Sequence, residues 1–123
     1  MHIRGIRWLG IRTDRFEELV SFLRDGLGLS VNFEGATTAE LSTSDGDAIQ
    51  VMGPGHRYHA FFGEQTAGPV PLLEVDDVAA ARAELEAIGA EIVGSVERDR
   101  RWEWFHVRAP DGTLFELGSR RPD

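Results

Sequence analysis

Neither cysteine nor lysine occurs among the 123 residues. The first absence excludes a disulfide framework, a thiolate nucleophile and cysteine-ligated zinc. The second makes all 13 basic residues arginine, a skew that, with abundant alanine and glycine, fits codon bias in a GC-rich genome better than a function. No stretch approaches the roughly 18 consecutive apolar residues of a membrane helix, and the N-terminus lacks the basic-then-apolar layout of a secretory signal. Positive charge is also in deficit: 21 acidic residues give a net charge of -8. A negative surface repels phosphate backbones, which disfavours nucleic acid and makes a neutral or cationic small molecule the easier partner. Arg98, Arg100 and Arg101 form the one basic cluster, read as a solvated strand end. A cytoplasmic protein without membrane or nucleic-acid partners is the expectation.

What is present suits one globular domain. Hydrophobic residues make up 41% and charged residues 28%, enough for a real core at this length. A repeat organises the chain. Residues 45–51 read Asp-Gly-Asp-Ala-Ile-Gln-Val and residues 111–117 read Asp-Gly-Thr-Leu-Phe-Glu-Leu, each a turn dipeptide feeding an alternating strand. Upstream of each lies a helix opening on aspartate. The first spans about Asp14 to Gly26, with Asp14 and Glu17 at capping-box spacing and an apolar stripe of Phe16, Leu19, Val20, Leu23 and Leu27. The second starts at Asp76 or Asp77, turns Val78, Ala81, Leu85 and Ile88 inward, and stops at Gly89.

A short strand precedes each helix (Ile6 to Arg12; Val70 to Val75) and three follow it: near Ser30 to Gly35, Ala39 to Thr43 and Ala48 to Met52, then near Glu91 to Val96, Trp102 to Ala109 and Thr113 to Ser119. The predicted order is β-α-β-β-β twice, in one domain over 1–123. Module 1 covers about 3–53, a linker about 54–68, and module 2 about 69–119.

Strand alternation sorts the side chains. Leu9, Ile11, Ile49, Val51, Leu73, Val75, Phe105, Val107, Phe115 and Leu117 should face the helices. The other face collects Trp8, Gln50, Met52, Val70, Leu72, Trp102, Trp104, His106, Arg108 and Glu116. Large aromatics mixed with single polar groups are how small-molecule cavities are lined. Pro110-Asp111-Gly112 suits a three-residue hairpin loop. Counting outward from it pairs Ala109 with Thr113 and sets His106 opposite Glu116. Such a pair can act as general acid or base, or be a plain cross-strand ion pair.

With those pieces in hand, the chain resembles the vicinal oxygen chelate superfamily: the glyoxalase, bleomycin-resistance and extradiol-dioxygenase group. The carriers are Gly5 to Leu29, ending Phe-Leu-Arg-Asp-Gly-Leu-Gly-Leu; Leu73-Glu74-Val75-Asp76-Asp77-Val78 leading into Leu85-Glu86-Ala87-Ile88-Gly89-Ala90; and Pro110-Asp111-Gly112-Thr113-Leu114-Phe115-Glu116-Leu117. The resemblance implies an α+β fold in which two tandem βαβββ modules form a U-shaped mixed sheet around a cavity, and it implies a homodimer. It also implies four metal positions, two per module, which fall on Trp8 and Gln50 and on Val70 and Glu116. Tryptophan offers no lone pair and valine cannot ligate, so no metal or other cofactor is expected. If a divalent cation were held, Glu116, Gln50 and His106 would hold it.

The expected function is therefore metal-independent binding of a small aromatic or cationic molecule, with drug sequestration or resistance as the family role. Trp8, Gln50, Met52, Leu72, Trp102, Trp104, His106 and Glu116 are the candidate ligand-binding residues. The alternative is a glyoxalase-type lyase, isomerase or dioxygenase, using the reduced metal site or the His106–Glu116 pair as catalytic groups. A third reading is a docking module. His56 and His59 stand three apart, but Gly53-Pro54-Gly55 and Gly63 flank them and argue against a helix. Tyr58, Phe61 and Phe62 read as a flap or subunit contact.

Overall fold

The structure, a computed structural model, describes residues 1–122. It is a mixed α+β fold. The strands are β1 (Ile3–Arg12), β2 (Ser30–Glu34), β3 (Thr38–Ser42), β4 (Ala48–Met52), β5 (Val70–Val75), β6 (Glu91–Arg98), β7 (Trp102–Arg108) and β8 (Leu114–Arg120). The helices are α1 (Phe16–Ser21), which continues as a π-helical turn Phe22–Gly26, α2 (Arg57–Gln65) and α3 (Val78–Ala87). The order β-α-β-β-β occurs twice, as the sequence predicts, with α2 between. Two compact units result: residues 7–69, and residues 1–6 with the chain from Val70 onward. Among the described residues no helix is long and apolar enough to cross a membrane.

In the first unit β4 runs parallel to β1 and antiparallel to β3, and β3 pairs with β2. Val20, Leu23, Ala39, Leu41 and Val51 form its core, with Phe16, Leu19 and Ile49 packed against them. The predicted helix stripe therefore holds except at its end. Leu27 is 59% exposed because the chain switches to a π turn, where the Leu27 N–H reaches back to the Phe22 carbonyl at 2.9 Å. The wider turn breaks the 3.6-residue phase. The predicted Asp14 cap is also overturned. The residue preceding α1 is Arg15, with no side-chain cap, and the Asp14 carboxylate is drawn instead to His59 at 2.7 Å.

The linker contains a helix that its glycines and prolines hid. α2 begins on His56, whose ring Nδ1 accepts the Tyr58 N–H at 3.1 Å. Tyr58 and Phe62 are buried, with rings stacked at 5.0 Å and 3°. That buried aromatic pair outweighs the weak local propensity.

In the second unit β5 runs parallel to β8, β8 is antiparallel to β7, and β7 to β6. α3 starts as predicted: the Asp77 carboxylate accepts the Ala80 N–H at 3.1 Å. Val78 and Ala81 pack on Val75, Phe105, Val107 and Leu117. Ile88, expected inward, is 78% exposed. The helix has ended at Ala87 and Ile88 is its C-cap with ψ 6°, so helical phase no longer governs it.

Candidate functional site

Each module presents its non-helical sheet face as the candidate site, and the two faces are built alike. In the second unit the loop forms as expected: Ala109 N–H bonds the Thr113 carbonyl at 2.8 Å and Gly112 N–H the Ala109 carbonyl at 2.9 Å, with Gly112 at φ 95°. That left-handed residue needs glycine. The register then sets His106 opposite Glu116, with Nε2 and Oε2 2.8 Å apart. His106 is 1% exposed and Glu116 3%. A second carboxylate, Glu97, stands 4.0 Å from His106 Nδ1. It comes from a bulged stretch of β6 in which Gly94 takes φ 76°, and bulges of this kind re-aim side chains.

On the same face Trp104 lies opposite Gly118 and Trp102 opposite Arg120. The Arg120 guanidinium sits over the Trp102 ring at 4.8 Å and 3.5 Å from Glu74. Val70, Leu72 and Trp104 are all buried, while Trp102 keeps partial exposure.

The first unit repeats the geometry. Its hairpin closes with Thr43 N–H on the Asp47 carbonyl at 2.9 Å and Gly46 N–H on Thr43 at 3.0 Å. Counting outward three residues pairs Glu40 with Gln50, the positions matching His106 and Glu116. Sequence reasoning missed Glu40, although the counting rule used on the C-terminal hairpin would have found it. The Trp8 indole N–H donates to Gln50 Oε1 at 3.1 Å. The Gln50 amide donates to Thr38 Oγ1 at 3.0 Å, and Thr38 donates to the Val51 carbonyl at 2.8 Å. Glu40 accepts from Asn32 at 3.0 Å. Because indole only donates, this network orients the Gln50 oxygen toward Trp8. The fully buried Met52 is the next residue of β4 on this face.

The donor set suits a divalent cation poorly. In the first module Trp8 offers no lone pair and occupies the Gln50 oxygen. In the second, Val70 is apolar and Glu116 is tied to His106. Among the described residues no group of three or more histidines or acids is placed to hold a metal, whereas zinc and calcium want three to eight donors. His56 and His59 are likewise separated in role, one capping α2 and the other bonding Asp14. A hollow of about 330 Å³ does open in the first unit, lined by Ile11, Arg12, Phe62, Gly63, Thr66 and Pro69 among others. None of the candidate ligand-binding residues lines it.

Two βαβββ modules, each with a cross-strand polar pair on its non-helical face, define the glyoxalase type of fold. The chain belongs to the glyoxalase/bleomycin resistance protein/dioxygenase superfamily, whose model matches residues 5–117. No curated protein matches it in sequence. Among solved structures it is similar to a superfamily member from Vibrio splendidus 12B01 (18% identity, 98% of this chain and 100% of that one, TM-score 0.69). It is similar to methylmalonyl-CoA epimerase from Mycobacterium tuberculosis (21%, 98% and 90%, TM-score 0.77). It also resembles the Mn(II)-bound glyoxalase from Novosphingobium aromaticivorans (24%, 95% and 38%, TM-score 0.65). At these identities the likeness is one of fold.

Proposed function

We propose that this protein binds a small aromatic molecule, neutral or cationic, without a metal ion. The observation that carries the reading is the Trp8–Gln50 hydrogen bond at 3.1 Å, which commits to an indole the Gln50 oxygen, the donor expected of the first module. A half-buried indole on each face, Trp8 and Trp102, supplies a stacking surface. Glu40, also half-buried beside Gln50, favours a positively charged group. Sequestration of a drug by a cytoplasmic homodimer is the biological form of the same proposal, and sedimentation at twice the chain mass would support it.

Two measurements test it. Protein purified without chelator should carry no stoichiometric divalent metal by elemental analysis. Tryptophan fluorescence should respond saturably to a member of a panel of aromatic cations, and the response should weaken in Trp8→Phe. Stoichiometric tightly bound metal overturns the proposal.

A second reading is favoured by the His106–Glu116 contact at 2.8 Å: proton transfer of the isomerase kind, a class represented among the fold neighbours by methylmalonyl-CoA epimerase. Deuterium exchange into a carbon acid, lost in Glu116→Gln, would favour it over simple binding.

A further inference from the structure

We propose a second site, a receptor for a small phosphate-bearing anion, at the end of the sheet where the β6–β7 hairpin meets the end of β8. Five of the 13 arginines of this acidic chain, Arg98, Arg100, Arg101, Arg120 and Arg121, fall there. Register explains how they gather. Trp102 is opposite Arg120, and the Arg121 N–H bonds the Arg101 carbonyl at 2.6 Å. Arg101 and Arg121 are therefore directly opposed, one step beyond the last ladder pair. Directly opposed like charges destabilise a sheet. Such a pair is ordinarily relieved by a carboxylate.

Among the described residues the nearby acids are already committed. Glu103 holds Arg98 at 3.0 Å, and Glu74 holds Arg120 at 3.5 Å. Asp99 Oδ1 is occupied by the backbone N–H groups of Arg101 and Trp102, both at 2.8 Å. Asp99 thus sets the shape of the turn and does not face a guanidinium. Arg121 donates through Nη1 to the Asp99 carbonyl, a neutral acceptor that orients the side chain without cancelling its charge. Arg100 and Arg101 are exposed and their side chains have no polar partner among the described residues. The excess positive charge is thus localised on a turn made rigid by its own hydrogen bonds.

Two guanidinium groups carried on directly opposed positions suit a tetrahedral dianion, which each can grip through paired N–H donors. A phosphate ester or diphosphate fits that demand better than a single carboxylate. An extended polyanion does not fit, because the net charge of -8 repels the strand beyond the patch.

Inorganic pyrophosphate titrated into the full chain at low ionic strength, followed by calorimetry, tests the site. Saturable one-site binding is expected, weakened about tenfold by Arg101→Gln or Arg121→Gln and lost in the double variant. Arg15→Gln on the first unit should leave it unchanged. Without anion, the single substitutions should hold or raise the thermal midpoint, since they relieve the opposed charges. With pyrophosphate, only the wild type should gain. Absence of binding, equal affinity in the double variant, or preference for a duplex oligonucleotide over pyrophosphate would overturn the assignment.

Discussion

His106 and Glu116 face each other across β7 and β8 with 2.8 Å between Nε2 and Oε2, in a region where neither is more than 3% exposed. Taking such groups out of water is costly unless they are paired. Removing one takes from the other its partner across the strands. His106→Ala should therefore destabilise the protein by about 3–5 kcal/mol, the usual cost of breaking a buried pair, read from the urea midpoint. His106→Leu with Glu116→Leu should cost well under the sum of the single substitutions. Strict additivity would mean that the two side chains do not depend on one another.

The Trp8–Gln50 bond depends on a residue that makes no contact through a side chain. A Cβ built on Gly10 would lie 2.2 Å from Trp8 Cη2, so the indole can fold over β1 toward Gln50 only because position 10 is bare. Gly10→Ala should displace the ring and cost about 1–3 kcal/mol, as overpacking does. The near-ultraviolet circular dichroism of the indole should change while the far-ultraviolet spectrum stays. An unchanged near-ultraviolet spectrum would show that the ring has room to spare.

The strand and hairpin content was legible because it rests on local rules. Alternation separated Val51, Phe105, Val107 and Leu117 from Gln50, His106 and Glu116, and the loop Pro110-Asp111-Gly112 set the register that joins His106 to Glu116. The same rule, applied at Thr43 and Asp47, reaches Glu40 and Gln50. Other features depend on partners distant in sequence. α2 exists because Tyr58 and Phe62 are buried and His56 caps it, which no periodicity over Gly53 to Gly63 announces. Asp14 looked like a cap because spacing alone cannot know that His59 competes for it. The approach of Glu97 to His106 required a bulge in β6 that only the paired strand reveals.

His56 gives α2 a dependence on pH. Burial, and secondarily the adjacent Arg57 charge, holds its imidazole below the ordinary value. A base with a depressed folded pKa binds fewer protons folded than unfolded. Its contribution is present above the unfolded value of about 6.5 and is lost as pH falls below it. The structural reason is direct: Nδ1 must stay unprotonated to accept the Tyr58 N–H. Amide exchange at Tyr58, corrected for intrinsic rates, should accelerate as pH falls below about 6.5. His56→Asn, which keeps a capping acceptor that does not titrate in this range, should abolish the acceleration. Exchange insensitive to pH in the wild type would remove His56 from this role.

Asp77 and Asp14 look equivalent in sequence, each standing at the head of a helix, and the structure predicts that they fail differently. Asp77 accepts the Ala80 N–H at 3.1 Å, so Asp77→Ala should cost about 1 kcal/mol, the usual worth of an N-cap. Asp14 caps nothing. Its hydrogen bond to His59, and then the charge of Arg12, hold its carboxyl below the ordinary range. A carboxylate depressed in the folded state contributes stability above its unfolded value of about 3.9, and loses it as pH falls through the folded one. Asp14→Asn should therefore be less stable than wild type at neutral pH, and the two urea midpoints should converge on acidification, as protonation removes from the wild type what the substitution had already removed. Parallel profiles for wild type and Asp14→Asn down to low pH would mean that the contact with His59 does not contribute.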